Sequence, residues 1–202
     1  MITELSKIDK NKIEAGINDK YSKVAETPEG QFNYPTGRSG LKALSYDPLL
    51  IEKLPESPTA SYCGVGNPFS VGPINKGEAV LDIGCGVGVD TMIAALIVGP
   101  SGKSVGVDIV DKMLQRAEAN LKLMGLENVA FYKASGEDLP LKNNKFDAVI
   151  SNGAINLIPD KYAAIQEVFR VLKPGGRLMI ADQVLIDQFP ENLKDRIDRW
   201  FQ

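Results

Sequence analysis

The chain has 202 residues, 44% hydrophobic and 24% charged, enough for one packed domain with a modest appendage. A net charge of -3 leaves no basic footprint for nucleic acid, and the absence of histidine removes Ser–His and Cys–His nucleophile pairs and every imidazole base. Two cysteines, Cys63 and Cys85, make neither a disulfide scaffold nor a zinc site, which points to a reducing cytoplasm and no bound metal.

Residues 1–20 are charged throughout and lack the apolar core of a secretory signal; the longest apolar stretch, 92–99, is too short to span a bilayer. Up to residue 75, seven prolines fall among Tyr21, Phe32, Tyr34, Tyr46 and Tyr62. Proline at that density breaks long elements, so residues 1–75 read as short helices and turns packed on a neighbour, with 32–38 a candidate lid over a substrate. Arg38 is the cation expected to matter there for an anionic substrate.

From Gly77 the texture becomes regular. A short apolar run at 79–83 suits a strand buried on both faces, and a glycine-rich turn leads into a helix over 89–98, closed by Gly99-Pro100. A second strand spans 104–107. Asp111 is placed to N-cap a helix whose Met113, Leu114, Ala117, Leu121 and Met124 share one face and whose end falls at Gly125. Strands are expected at 129–132 and 146–151, then an amphipathic helix carrying Ile165, Val168, Phe169 and Leu172. Lys173-Pro174-Gly175-Gly176 should stop that helix before a fifth strand at 177–184, and Leu193, Ile197, Trp200 and Phe201 mark a last helix. Regular alternation predicts an α/β fold, a doubly wound parallel sheet with helices on both faces, over residues 76–202. Eighteen residues follow the fifth strand, which leaves no room for a sixth and seventh. Strand five should therefore be an edge, open to pairing with a second copy unless the chain is a fragment.

The informative stretch is Asp82-Ile83-Gly84-Cys85-Gly86-Val87-Gly88. A glycine bend between a strand and a helix lets a ligand approach the backbone and the helix N-terminus. Asp82 lies two residues before the first glycine, where a dinucleotide fingerprint carries an apolar residue because a carboxylate repels pyrophosphate. A ligand with an ammonium and a sulfonium is not repelled. Asp108 ends strand two, twenty residues beyond Gly88, where a carboxylate accepts ribose hydroxyl hydrogens from any nucleoside.

These residues resemble the class I S-adenosylmethionine (AdoMet) methyltransferases. Residues 82–88 are similar to their first motif and Gly106-Val107-Asp108 to their second. Residues 134–140, 146–152 and 170–176 are similar to the later ones, in the expected order. The resemblance implies AdoMet as cofactor, with Gly84, Gly86 and the Cys85 backbone at the methionine end and Gly88 completing the bend. It places Asp108 on the ribose, Ile109 and Met113 near the adenine, Ser135, Gly136 and Glu137 along the adenine edge, and Asn152 on the methionine side. Where Ser135 stands, many relatives carry an acid, so Glu137 or a backbone carbonyl would substitute.

Residues 62–68, 150–157 and 169–176 resemble the arsenite methyltransferases more closely. That family normally has an arsenic-binding cysteine where this chain has Gly153. With Cys63 and Cys85 alone, a three-thiolate cage is not expected. The resemblance therefore implies a small-molecule methyl acceptor, with arsenite disfavoured and no catalytic residue assigned. The alternatives are a non-catalytic AdoMet-binding or interaction protein and an NAD(P)-linked oxidoreductase.

Overall fold

A computed structural model describes residues 5–184 together with Ile197 and Trp200. Five strands form one fully parallel sheet: β1 (Ala79–Ile83), β2 (Lys103–Asp108), β3 (Val129–Lys133), β4 (Phe146–Asn152) and β5 (Leu172–Ala181). Their order across the sheet is β3-β2-β1-β4-β5. The direction of winding reverses between β1 and β4, and the crevice at such a switch point is where open α/β sheets bind ligands.

Side chains alternate between the two faces of β1, so Val80 packs with Ala94 and Val98 whereas Leu81 and Ile83 join Val168 and Val171. Helix α5 (Val89–Val98) covers the first face and is buried almost all round. Helix α6 (Asp111–Met124) lies beside it, burying Met113, Ala117 and Asn120 and ending at Gly125 in the left-handed conformation. Helix α7 (Lys161–Val171) covers the opposite face through Ala164, Val168 and Val171, and the Asp160 side chain accepts the Ala163 N–H to cap it. Asp111 does not cap α6: Val110 is the flanking residue, and Asp111 opens the first turn, paired with Lys133 at 2.6 Å.

The strand after α7 departs from expectation. Helix α7 passes directly into β5 at Leu172, and Lys173-Pro174-Gly175-Gly176 forms an irregularity within the strand. Phe146 pairs with Leu172 and Ala148 with Arg177, so residues 173–176 stand opposite Asp147 alone and the register slips by three, which lets a strand carry proline. Pairing ends at Asn152–Ala181, because Asp182 turns to accept the Asn156 N–H. The expected last helix lies outside the described residues except for Ile197 and Trp200.

Ahead of the sheet stand four helices rather than short turns alone. Helix α1 (Lys7–Glu26) runs twenty residues, opened by a reciprocal capping box between Ser6 and Asp9. No proline precedes residue 28, and Ile13, Ile17 and Val24 give this charged helix a narrow buried stripe. Helices α2 (Gly37–Ala43), α3 (Pro48–Lys53) and α4 (Glu56–Ala60) follow. Their buried residues Leu41, Ile51 and Leu54 join the α1 stripe and α5 in one cluster. The N-terminal segment is thus built onto the α5–α6 face.

Candidate functional site

At the C-terminal ends of β1, β2 and β4 lies a cavity of about 310 Å³. Its floor comes from the glycine bend and the loop after β3. Gly84 sits at φ 73°, and a Cβ on it would overlap the Ala154 side chain. The bend is tied to the neighbouring strand, since the Gly84 and Cys85 N–H groups both donate to the Val107 carbonyl. One oxygen of Asp108 accepts the Gly86 N–H at 2.8 Å and the other accepts the Val110 N–H at 2.9 Å. Each oxygen keeps a lone pair, and Asp108 lines the cavity with Ile109, Met113, Ser135 and Gly136. A Cβ on Gly136 would fall 2.6 Å from Ile158, so glycine preserves the opening there.

Not every expected residue reaches this cavity. Cys85 is buried in the bend, borders a smaller adjoining pocket, and spends its N–H on Val107. Gly88 touches neither: a Cβ on it would meet Phe131 at 2.7 Å, so it serves the packing of α5 on β3. Glu137 is turned away, its carboxylate accepting the Asp160 N–H at 2.6 Å beside the start of α7. Ser135 instead fixes the loop by accepting the Glu137 N–H at 3.2 Å. Arg38 is also elsewhere, donating to the Ile51 and Leu54 carbonyls at the end of α3.

Beneath the bend is a buried polar knot that sequence spacing did not reveal. Asp82, 2% exposed, accepts the Thr91 hydroxyl at 2.6 Å. Asp90, in the first turn of α5, accepts the Tyr46 hydroxyl at 2.8 Å and the Asn152 amide at 2.9 Å. The Asn152 oxygen in turn holds the Val65 and Gly66 N–H groups, and the Tyr62 hydroxyl donates to Tyr46. Asn152 therefore belongs to the cavity wall and to the clasp on the loop before it. A Val-Asp-Thr start to a helix reads as ordinary capping chemistry, which conceals Asp90.

The donors that hold Asp82, Asp90 and Asp108 are neutral hydroxyl, amide and backbone groups. Burial raises the Asp82 carboxyl, with the Asp90 charge adding to it and the Thr91 hydroxyl opposing it. Burial pushes Asp90 up to about 6 against the Asn152 and Tyr46 hydrogen bonds. It raises Asp108 as well, against the N–H groups of Val110, Gly86 and Ile109. Buried carboxylates in neutral company favour a cation as their next neighbour. An ammonium and a sulfonium suit this floor; a pyrophosphate does not.

The other half of the cavity comes from the N-terminal segment and the end of the described chain, and includes Lys20, Tyr21, Phe32, Tyr34, Cys63 and Trp200. Gly153 lies on the border between the halves at φ 67°, where a Cβ would stand 3.3 Å from the Val65 methyls. Burial pushes the Cys63 thiol up to about 12.

A parallel sheet with a glycine bend and buried acids at its switch point defines an α/β domain built for a positively charged nucleoside. A family model described as a methyltransferase domain matches residues 74–200. The chain is 36% identical over 159 residues to an arsenite methyltransferase of Halobacterium salinarum, covering 79% of this chain and 40% of that protein. It is 40% identical over 110 residues to the ubiquinone/menaquinone biosynthesis C-methyltransferase UbiE of Pasteurella multocida, covering 54% and 41%. The crystal structure of an arsenic(III) S-adenosylmethionine methyltransferase from Chlamydomonas reinhardtii matches with a TM-score of 0.56 at 33% identity, covering 74% of this chain and 50% of that one. The chain belongs to the methyltransferase-domain family, as a class I AdoMet-dependent member related to the arsenite methyltransferases. It spans about two fifths of the length of these curated relatives.

Proposed function

We propose that this chain binds AdoMet and carries out methyl transfer to a small-molecule acceptor. The observation that carries this reading is the trio of buried Asp82 and Asp90 and half-buried Asp108, set around the glycine bend and held by neutral donors. Asp108 would take the ribose hydroxyls, Ile109 and Met113 the adenine faces, and Ser135 and Gly136 its edge. Gly84, Gly86 and Asn152 would surround the methionine end. AdoMet supplies a methyl carbon already activated by its sulfonium, so the acceptor's lone pair forms the new bond as the carbon–sulfur pair returns to sulfur. The protein's share is alignment and exclusion of water, with residues 1–75 closing over the domain of residues 76–202.

Arsenite is disfavoured as the acceptor. Cys63 has a thiol pushed up to about 12, Cys85 is also raised by burial inside the bend, and residue 153 offers no sulfur. Soft thiolates are what bind trivalent arsenic. Among the described residues no helix is long and apolar enough to cross a membrane. The reading completes with a cytoplasmic protein that binds neither nucleic acid nor membrane and that pairs with a second copy along the β5 edge. Among the described residues that edge has β4 on one side only.

Titration calorimetry with AdoMet and with NAD tests the cofactor: AdoMet alone should bind, and binding of NAD alone overturns the reading. A methyl-transfer panel of arsenite, a thiol and a quinol then tests the chemistry. AdoMet binding with no transfer to any acceptor would favour a non-catalytic binding protein. Sedimentation velocity tests the pairing, which a single monomer boundary at all concentrations would refute.

A further inference from the structure

The wall of the cavity facing the glycine bend is made of ring carbon and has charges of both signs around it. The Tyr34 hydroxyl is committed to the Cys63 carbonyl at 3.1 Å, and the Trp200 indole N–H to the Leu157 carbonyl at 2.8 Å. Phe32 and Tyr34 lie with centroids 5.1 Å apart, which extends the aromatic surface. The Lys20 ammonium stands 5.1 Å from the Phe32 centroid. Burial raises the Tyr21 hydroxyl, and Cys63, Tyr34, Asp108 and Asp182 add to that rise. A cation and carboxylates this close together offer no single sign of charge by which a ligand would be chosen.

A neutral polar group stands out instead. Four buried side-chain atoms among the described residues have no hydrogen-bond partner: Ser104 Oγ, Arg116 Nε, Asn156 Oδ1 and Arg177 Nε. Of these residues Asn156 alone lines the cavity. Its backbone is fixed, since its N–H donates to the Asp182 carboxylate at 2.9 Å. Ala154, two residues earlier, closes against Gly84 of the bend, and Leu157, one residue later, carries the Trp200 indole. Asn156 thus stands where the cofactor floor meets the aromatic wall. A shielded amide oxygen without a donor costs stability, and beside a cavity it calls for a donor from outside the chain. Among the described residues no hydrogen bond ties this amide down, so rotation about its side-chain bonds can bring it to bear on a bound molecule.

Resting on the methyltransferase reading of the same cavity, we propose that Asn156 selects and orients the methyl acceptor by hydrogen bonding a hydroxyl on an otherwise apolar, ring-bodied molecule. The ring would lie along Phe32, Tyr34 and Trp200, with its hydroxyl toward the Asn156 amide. A hydroxyl donates to an amide oxygen and accepts from an amide N–H, so it satisfies this side chain in either orientation. A molecule without one leaves the oxygen unpaired, which is how a buried polar group rejects the analogue that lacks its partner.

The test uses the full chain saturated with S-adenosylhomocysteine, titrated calorimetrically with 2-naphthol and with its hydroxyl-free counterpart 2-fluoronaphthalene. The naphthol should bind about tenfold tighter or more. Asn156→Leu, similar in volume but apolar, should erase that preference while leaving the affinities for 2-fluoronaphthalene and S-adenosylhomocysteine unchanged. Because it removes an unpaired polar atom, this variant should melt no lower than the parent, which a merely structural role for the amide would not allow. Asn156→Asp retains an acceptor oxygen and should keep the preference. Equal affinity for the two probes, binding of neither, a preference that survives in Asn156→Leu, or a marked fall in the melting temperature of that variant would overturn the proposal. Failure of S-adenosylhomocysteine to bind the parent chain would instead sink the cofactor reading.

Discussion

Asp108 does two jobs with one carboxylate, fixing the Gly86 and Val110 N–H groups while facing the cavity. Asp108→Ala should lower AdoMet affinity by about 10–100-fold, the worth of one or two charge-assisted hydrogen bonds, with an unchanged circular dichroism spectrum. Gly84 is demanding in another way, since its φ of 73° and the nearby Ala154 leave no place for a methyl. Gly84→Ala should cost about 2–4 kcal/mol in denaturant unfolding. Gly125→Ala, at φ 62° in open space, should cost only about 1 kcal/mol. Asp90, pushed up to about 6, gives a pH signature. The raised carboxyl holds its proton in the fold after the unfolded one has lost it. Its stabilising effect is therefore complete below about pH 4 and gone once pH has risen through about 6. A cationic ligand prefers the ionised form, so AdoMet affinity should climb several-fold between about pH 5 and about pH 7. Asp90→Asn can still meet Tyr46 and Asn152 and should flatten that climb; a profile in the variant identical to the parent's would show that another group titrates.

At the level of elements, the knot of Asp90, Tyr46, Tyr62 and Asn152 clasps the loop at residues 63–66 onto the end of β4. Losing two hydroxyls through Tyr46→Phe and Tyr62→Phe should raise the opening equilibrium of that loop about tenfold. The readout is the rate at which a thiol reagent modifies Cys63 in a Cys85→Ser background; an unaltered rate would mean the loop is held by packing alone. The sheet and helices from Gly77 to α7 were legible in the sequence because buried parallel strands leave apolar runs and their helices leave a 3.6-residue rhythm. Asp82, Asp108 and the bend were legible for the same reason: local spacing defines them. Helix α1 was obscured because a charged helix with a narrow stripe carries little periodic signal. The start of β5 was hidden by a Pro-Gly-Gly stretch that normally ends an element but here bulges inside one. Asp90 and Trp200 matter through contacts 43 to 62 residues away in the chain, which no local pattern encodes.

Taken as one molecule, the chain divides its cavity between two sources. The parallel sheet supplies a floor suited to a cationic nucleoside, and the N-terminal segment supplies most of the opposite wall. Gly153 is where they meet, at φ 67° and close against Val65. Gly153→Cys alone should therefore lower stability by about 1–3 kcal/mol in thermal or chemical melts, with Val65→Ala restoring part of the loss. The consequence reaches past stability: a larger side chain at this junction displaces the facing loop, so the two halves of the cavity are not independently variable there.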